Sequence, residues 1–316
     1  MDEIQLRNFL MICRCASITE AADRLGIAQP SLSQQLLRLE DEFGTKLFRR
    51  TSRGVAATDG GRLLQEHAST ILRAMNRARE EVHSTDRTPQ GDITFAMPST
   101  ASLILGVPLL VAARASLPLV NLRIREAMSA AIRRWLEEGR TELAILYDAE
   151  GARHLSVKPL ARETLLLVGP PGEFGPTDSH GIAASPVEPD IVAKASLILP
   201  SVAHGLRRLI DRRSNAGRIE LNVAIEMDSL AHIKTLIASG LGFSLLSHAA
   251  ISGELMRGEL SAARVDGLDL DRSVCLVRNP SQTVTRASIE IEDLAVRLLR
   301  EMIDDGRWIA EPIEEV

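Results

Sequence analysis

Three short helical patterns at the start of the chain, the last two separated by a glycine, constrain the fold more than any other feature. Apolar residues recur at the spacing of an amphipathic helix in 6–15 and again after Ser17, a good N-cap, up to Gly26, which tolerates a tight turn. A third helix begins at Gln29-Pro30, where the missing N–H of proline costs nothing. The pattern predicts a helix-turn-helix. The third helix is expected to bury Leu32, Leu36, Leu39 and Phe43.

The opposite face of the third helix carries small, amide and basic side chains. Glutamine and serine can hydrogen-bond to base edges, arginine can bind guanine or phosphate, and short residues allow close approach to a major groove. An ordinary solvated face is the alternative interpretation. The helical spacing assigns to this face Pro30, Ser33, Gln34, Leu37 and Arg38, with Ser31 at its margin.

A hairpin with basic residues is predicted over 47–58. Arg49, Arg50 and Arg53 are expected at its tip, where they would contact backbone phosphates or the minor groove; a solvated charge run is the alternative. The net charge of −5 does not argue against DNA, because residues 1–87 hold 13 basic and 12 acidic residues, against 24 and 30 in the remainder. The acidic excess therefore belongs to the rest of the chain.

A long helix capped by Thr58 or Asp59 is predicted to run to about His83. Its apolar residues alternate in steps of four and three, the spacing of a heptad seam, which predicts a dimerisation helix; packing against its own chain is the alternative. A dimer presents two recognition helices and so predicts a roughly palindromic DNA site. The seam consists of Leu64, Ala68, Ile71, Met75, Ala78 and Val82.

After the polar stretch 86–91, strand-like and helix-like segments alternate. This alternation predicts α/β architecture in two similar lobes, with a ligand cleft beyond the carboxyl ends of the strands. Hydroxyl groups at the starts of helices, with the free N–H groups there, would hold a carboxylate or another small polar group, although plain N-capping is an equal alternative for each. These residues are Ser99, Thr100, Ser102 and Ser129.

Other classes of protein find little support in the sequence. It contains no nucleophile elbow, zinc-protease motif, phosphate loop or Cys/His cluster, so we expect neither an enzyme nor a metal or cofactor. A solute-binding module would leave the helix-turn-helix and the heptad seam unexplained. The acidic first residues do not resemble a signal peptide, and we expect a cytoplasmic protein without a membrane span. Cys13, Cys15 and Cys275 are expected to be small apolar side chains.

The stretch SITEAADRLGIAQPSLSQQLLRLEDEFGTKLFRR, followed by RGVAATDGGRLL, resembles the LysR-type transcriptional regulator family. The likeness continues over nearly the whole chain, and MSAAIRRWLEEGRTELAILYD is most similar to the branch of nitrogen-assimilation regulators. Three positions depart from the usual pattern: Gly60, Ala127 and Ser247 stand where alanine, glycine and proline are frequent. Ala127 leaves the shape of the ligand pocket open.

The resemblance implies a DNA-binding transcription regulator with an N-terminal all-α winged helix-turn-helix, a linker helix and a two-lobed α/β effector domain similar to periplasmic binding proteins. Its partners would be double-stranded DNA, a small polar or carboxylate effector, further copies of the chain in a dimer or tetramer, and RNA polymerase. A regulator that acts without a ligand, or under control of a partner protein, is the alternative.

The resemblance also assigns residues and boundaries. The domains are expected at 1–58, 59–87 and 88–316, with lobe I at 91–161 and 268–305 and lobe II at 162–267. The positions that would contact DNA are Gln29, Pro30, Ser31, Ser33, Gln34, Arg38, Arg49, Arg50 and Arg53. The positions that would contact the effector are Ser99, Thr100, Ser102, Met128, Ser129, Tyr147, Pro200, Ser201, His204 and Asp228.

Overall fold

The computed structural model describes residues 1–51, 54–83, 88–149, 152, 154–282 and 284–313. Within the helix that ends at His83, the side chains of Glu66, Ser69, Thr70, Arg73 and 76–83 are outside the description. The chain forms two compact units, Met1–Thr88 (unit 1) and Pro89–Val316 (unit 2).

Unit 1 begins with the three predicted helices. Ser17 caps the second helix by accepting a hydrogen bond from Glu20 N, and Gly26 ends it with a φ of 67°, as the glycine turn requires. The helices are α1 (Glu3–Cys15), α2 (Ile18–Leu25) and α3 (Gln29–Phe43).

The core of unit 1 contains the leucine stripe of α3. Leu32, Leu36 and Leu39 are buried, together with Phe9 of α1. Phe43 was expected in this core, and that prediction is wrong, since 45% of the residue is exposed. The helix ends at Phe43 and the chain turns at Gly44, which has a φ of 64°, so no further layer of chain covers the ring.

The hairpin predicted over 47–58, called the wing from here on, consists of β1 (Phe48–Thr51) and β2 (Gly54–Ala57). Glu40 of α3 holds it in place: its buried carboxylate accepts hydrogen bonds from Leu47 N at 2.9 Å and Phe48 N at 3.3 Å. Arg49 and Arg50 lie within strand β1 rather than at the tip, because the strand pairs through both positions; Arg53 is outside the described residues.

Helix α4 (Asp59–His83) follows, with Thr58 accepting a hydrogen bond from Gly61 N at its start. The first two residues of the expected dimer seam, Leu64 and Ala68, pack in the core of unit 1, so the alternative of packing against the same chain holds for them. Ile71 is half-buried against that core, whereas Met75 is exposed. The side chains of Ala78 and Val82 are outside the described residues.

Unit 2 contains a mixed sheet covered by helices on both faces. Its first lobe has β3 (Gly91–Met97) in parallel between β4 (Val120–Glu126) and β5 (Leu143–Tyr147). One face is covered by a continuous helix, α5 (Ser99–Ala101), a π-helical turn (Ser102–Gly106) and α6 (Val107–Ser116), and by α12 (Arg286–Asp304). The other face is covered by α7 (Ser129–Glu137).

One long strand, β6 (Ser156–Gly169), belongs to both lobes. Up to Thr164 it pairs with β11 (Asp271–Arg278), and from Leu165 it pairs with β9 (Ser244–Ser247), and near its end also with β10 (Ser261–Ala263). The end of lobe I and the start of lobe II are therefore halves of a single strand. The lobes meet at 164/165 and 270/271, three residues from the expected boundaries.

The second lobe, lobe II, spans 165–270, and lobe I comprises 89–164 and 271–313. In lobe II a short pair, β7 (Leu197–Leu199) with β8 (Val223–Glu226), extends the sheet beside β9. A last strand, β12 (Glu311–Pro312), pairs with β6 in lobe I. The helices of lobe II are α8 (Pro189–Lys194), α9 (Gly205–Ala216), α10 (Leu230–Ala238) and α11 (His248–Met256).

The continuous helix Ser99–Ser116 is long and apolar enough to cross a membrane by length and composition. In the structure one side of it, with Leu105 and Leu109 fully buried, packs in the core of lobe I. Its opposite side is exposed and includes Leu103, Val107 and Val111. It is the core helix of a globular unit with one uncovered apolar side.

Candidate functional site

The face of α3 that was predicted to meet DNA is on the surface of unit 1. Ser33 is half-exposed and the other predicted residues of the helix are exposed. Gln29 donates a hydrogen bond to Ser33 Oγ at 2.9 Å, which orients both side chains. The exposed residues are Gln29, Pro30, Ser31, Gln34 and Arg38, with Arg49 and Arg50 of the wing.

The neighbouring amide, Gln35, points inward. Its Oε1 accepts a hydrogen bond from the Asn8 side chain at 2.6 Å, and Asn8 is buried. Gln34 and Gln35 are therefore two adjacent glutamines with opposite surroundings: one is exposed on the recognition face and one ties α3 to α1.

Unit 2 has a cavity of about 650 Å³ between its lobes, a volume suited to a small ligand. Eight of the ten predicted effector positions lie on its wall. Ser102 and Ser201 do not: Ser102 belongs to the π-helical turn, and Ser201 lies in the loop before α9. The eight are Ser99, Thr100, Met128, Ser129, Tyr147, Pro200, His204 and Asp228.

The N-termini of two helices meet across this cavity. A Cβ atom built on Gly205, the first residue of α9 in lobe II, would lie 3.9 Å from Ser129 Oγ, at the start of α7 in lobe I. The first N–H groups of a helix have no partner within it and carry a partial positive charge. Two such ends facing one space favour an anion there.

Arginines add to this positive charge. The cavity wall includes Arg133 of α7, Arg208 and Arg212 of α9, and Arg272 of β11, against the two carboxylates of Asp148 and Asp228. Arg212 and Asp148 come within 3.9 Å of each other across the two lobes. Sequence reasoning missed all four arginines. The spacing of 208 and 212, one helical turn apart, was a usable signal, because it places both on the side of α9 that begins at the cleft.

His204 is the N-cap of α9, and its Nδ1 accepts a hydrogen bond from Leu206 N at 3.1 Å. A nitrogen that accepts cannot carry the proton, so the ring is the neutral tautomer with Nε2–H. Burial lowers the pKa of His204 below its ordinary value of 6.5, and the nearby carboxylate of Asp228 only partly opposes this effect. The cavity wall thus has a neutral N–H donor at this position.

Two histidines make the stability of unit 2 depend on pH. Burial also lowers the pKa of His248 below 6.5. As the pH falls through 6.5, the unfolded chain takes up protons before the folded one, so stability present above that pH is lost below it. We expect the urea midpoint of the full chain, followed by tryptophan fluorescence, to fall over this range.

His204→Asn keeps an acceptor for Leu206 N but does not titrate, so the variant should show a smaller loss on acidification. His232→Asn, at an exposed position of α10, should retain the wild-type pH dependence. An identical pH profile for His204→Asn and the wild type would contradict the assignment.

Asp228, on the cavity wall, holds the loop before α9 in place. Its Oδ1 accepts a hydrogen bond from Ser201 N at 2.8 Å, and bonds from the backbone and side chain of Ser201 lower the pKa of the carboxyl. Ser99 similarly donates to Glu126 Oε1 at 2.7 Å. Asp228 therefore fixes the loop before α9, and the Ser99 hydroxyl proton is already engaged.

The cavity wall also includes an arginine stacked on a tyrosine ring. The Arg272 guanidinium lies 3.6 Å from the centre of the Tyr147 ring, a cation–π contact. The Tyr147 hydroxyl is buried without a partner of normal hydrogen-bond geometry among the described residues, although Thr100 lies near it. Burial raises the pKa of Tyr147, so the hydroxyl keeps its proton at neutral pH.

The cysteines fit the expectation of small apolar side chains. Burial raises the pKa of Cys13 to about 11, and it also raises that of Cys275, which is 3% exposed. Both thiols therefore stay protonated at neutral pH, which makes them poor nucleophiles.

A helix-turn-helix unit with an exposed recognition face, followed by a two-lobed unit with a ligand-sized cavity, defines a DNA-binding transcription regulator with a sensor domain. Residues 4–62 match the model described as bacterial regulatory helix-turn-helix protein, lysR family, and residues 86–308 match the LysR substrate binding domain. The chain belongs to the LysR family, and the relatives described below are transcription regulators and not enzymes.

The relatives agree with this assignment. The nitrogen assimilation regulatory protein nac of Escherichia coli (strain K12) is 32% identical over 251 residues, which cover 79% of each chain, and so supports the nac-like branch. The HTH-type transcriptional regulator BbuR of Bordetella bronchiseptica is 26% identical over 312 residues, covering 99% of this chain and 94% of that protein.

Solved structures share the fold. CbnR complexed with its target DNA is 20% identical, covers 95% of this chain and 99% of its own, and has a TM-score of 0.69. Full-length OxyR from Pseudomonas aeruginosa is 21% identical, covers 95% of both chains and has a TM-score of 0.70. At these identities the likeness concerns the architecture alone.

Proposed function

We propose that this regulator is controlled by a small anion, most simply a carboxylate, bound in the cavity between its lobes. The observation that carries the proposal is the meeting of the α7 and α9 N-termini at Ser129 and Gly205, with arginines from both lobes lining the same cavity. The Nε2–H of His204 and the hydroxyl of Thr100 supply neutral donors around the same space. Such a ligand binds both lobes and so favours the closed cleft.

A carboxylate ligand should stabilise unit 2 against heat. In a thermal-shift screen of the full chain against metabolites, we expect the hits to be anions, with about 2.7 kcal/mol of added stability at 100 times the Kd. Arg208→Ala should reduce that shift. Arg257→Ala removes an exposed arginine of lobe II that is not on the cavity wall, and should leave the shift unchanged.

The absence of any hit, with specific DNA binding intact, would contradict the proposal and favour the alternative of a regulator that is constitutive or controlled by a partner protein. Hits confined to cations or uncharged sugars would overturn the charge of the ligand but not the use of the cavity.

For DNA, we propose that the residues of α3 contact base edges and the wing contacts phosphates. The base-contacting set would be Gln29, Pro30, Ser31, Ser33, Gln34 and Arg38, and the phosphate-contacting set Arg49, Arg50 and Arg53. The described members are exposed, or half-exposed in the case of Ser33, and so are accessible to DNA; the division rests on side-chain type, amides and hydroxyls for base edges and arginines of the wing for phosphates.

Gln34→Ala is expected to weaken binding to the operator by about 1 to 3 kcal/mol while leaving binding to random DNA nearly unchanged, since the lost contact is to a base edge. Fluorescence-anisotropy titrations on both DNAs measure this difference. Gln35→Ala is the matched control because Gln35 faces Asn8, and it should keep the specificity ratio. Equal losses on operator and random DNA would refute the role of Gln34.

The protein would act in the cytoplasm as a dimer or tetramer on a roughly palindromic site, with RNA polymerase as a further partner. One apolar surface supports self-association: the uncovered side of the helix Ser99–Ser116, where Leu103, Val107 and Val111 are exposed. Ligand binding would then shift the balance between two assemblies, and its regulatory effect would equal its differential affinity for them. An unchanged DNA footprint at saturating ligand would refute this step.

A further inference from the structure

The segment that follows α12 lies across the strand shared by both lobes. Trp308 is fully buried in the core of lobe I, and the next residue, Ile309, packs against a core cluster of lobe II. Two residues later β12 pairs with β6, and Ile313 N donates to Leu160 O at 3.0 Å. The expected lobe boundary at residue 305 left this segment out, yet it is in contact with both lobes.

Trp308 is tied to a buried ion pair. Its Nε1 donates a hydrogen bond to Glu163 Oε2 at 2.7 Å. The other carboxylate oxygen of Glu163, Oε1, accepts a hydrogen bond from Arg272 Nε at 2.7 Å. A terminal nitrogen of the same guanidinium lies 2.6 Å from that oxygen. The side chains of Arg272 and Glu163 are only 5% and 1% exposed, so water does not compete effectively for these bonds.

The same arginine reaches the ligand cavity. Arg272 donates to Ser247 Oγ at 3.2 Å and stacks on Tyr147, and both Arg272 and Tyr147 are on the cavity wall. Although burial alone lowers the pKa of Arg272, the adjacent Glu163 carboxylate raises it overall, so the guanidinium is always charged. A continuous chain of contacts thus runs from the cavity through Tyr147, Arg272 and Glu163 to Trp308.

We propose that Trp308 is a positioning residue of the ligand cavity: it holds Glu163, and through Glu163 it sets both the place and the effective charge of Arg272. The indole N–H withdraws negative charge from the carboxylate, so Arg272 is less fully neutralised and attracts an anion more strongly. This inference rests on the proposed anion site. It makes the segment from Gly306 to Ile313 part of the sensor.

Trp308→Phe tests the proposal because it keeps a buried ring but removes the donor. The probe is the dye anilinonaphthalene sulfonate, an anion with an apolar body, titrated into the full chain by fluorescence. We expect Trp308→Phe to weaken its cavity binding by roughly fivefold to tenfold, which is less than the full worth of a hydrogen bond to a charged group, because the indole acts on the dye only through Glu163 and Arg272. Trp135→Phe, which removes the chain's other tryptophan, is the matched control and should leave the affinity unchanged.

Arg208→Ala establishes which part of the dye signal comes from the cavity. If this variant lowers dye binding while Trp308→Phe binds like the wild type, the inference is overturned and the proposed anion site stands. If Arg208→Ala has no effect on dye binding, the anion site fails, and the inference fails with it.

A second measurement keeps Trp308 in place and so tests the proposal even if Trp308→Phe does not fold. Incorporated fluorotryptophan gives one fluorine NMR signal for each tryptophan, assigned by reference to Trp135→Phe. Saturation of the cavity with the dye is expected to shift the Trp308 signal, and Arg208→Ala should abolish that shift at the same dye concentration. A Trp308 signal that does not move while the cavity fills would overturn the proposal.

Discussion

Glu163→Ala is expected to lower the free energy of unfolding of unit 2 by about 3 to 5 kcal/mol, because it leaves the Arg272 charge buried without its partner. The carboxylate accepts hydrogen bonds from Arg272 and from Trp308, so its removal leaves the guanidinium and the indole N–H buried without an acceptor. Urea unfolding of the full chain, followed by tryptophan fluorescence, measures the loss. Both tryptophans, Trp135 and Trp308, belong to unit 2, so the signal reports that unit alone.

A double replacement separates the cost of an unpaired charge from the value of the pair. Arg272→Met alone leaves Glu163 buried without its cation and should also cost about 3 to 5 kcal/mol. In Glu163→Gln with Arg272→Met, the amide oxygen can still accept from Trp308 and no charge is buried. The double variant should then lose far less stability than the sum of the losses of Glu163→Gln and Arg272→Met, each measured alone, which is strong non-additivity between contacting residues. Additive losses in the double variant would contradict this account.

Local patterns were sufficient to predict most of unit 1. The cap at Ser17, the turn at Gly26 and the leucines of α3 follow from helical periodicity and from residues that satisfy backbone groups nearby. The errors concern what lies beyond one element. Whether Phe43 is covered depends on the path of the chain after Gly44, and the position of Arg49 depends on strand pairing.

The long strand β6 shows why the division of unit 2 was harder to predict. Pro159 lies inside the strand, and proline usually argues against a strand interior because it has no N–H to donate. The structure accommodates it at a register shift, where Cys275 lies opposite Pro159 and Val274 opposite Ala161. The continuity of the strand across Pro159 is therefore visible only in the folded chain.

The part of the cavity that local sequence signals mark, its hydroxyl groups and helix starts, could be predicted, whereas its charged residues could not. Hydroxyls and helix starts are visible in the sequence, and eight of the ten predicted positions line one cavity. The charges depend on contacts between distant segments: Glu163 and Arg272 are 109 residues apart, and Trp308 is 145 residues from Glu163. No periodicity within one element predicts such a network, so it emerged only from the folded chain.

Two adjacent glycines at the start of α4 give opposite predictions for the stability of unit 1. A Cβ atom at Gly61 would lie 2.0 Å from the carbonyl oxygen of Leu47, a backbone atom that also accepts a bond from Thr58 N. The wing strand and the helix would have to move apart, so Gly61→Ala should cost about 3 kcal/mol, the upper end of overpacking. Its DNA affinity should fall with the folded fraction.

Gly60→Ala is the control, since its Cβ would meet only side-chain atoms, a methyl of Thr45 at 3.4 Å and Thr58 Oγ1 at 3.8 Å. Alanine restricts the unfolded chain and favours the helix, so this variant should match the wild type or gain up to about 1 kcal/mol. Circular dichroism of the full chain measures both variants, and tryptophan fluorescence identifies the separate unfolding of unit 2. If Gly61→Ala were as stable as Gly60→Ala, the close packing of Leu47 on α4 would be wrong, and with it the mechanism that fixes the wing beside the recognition helix.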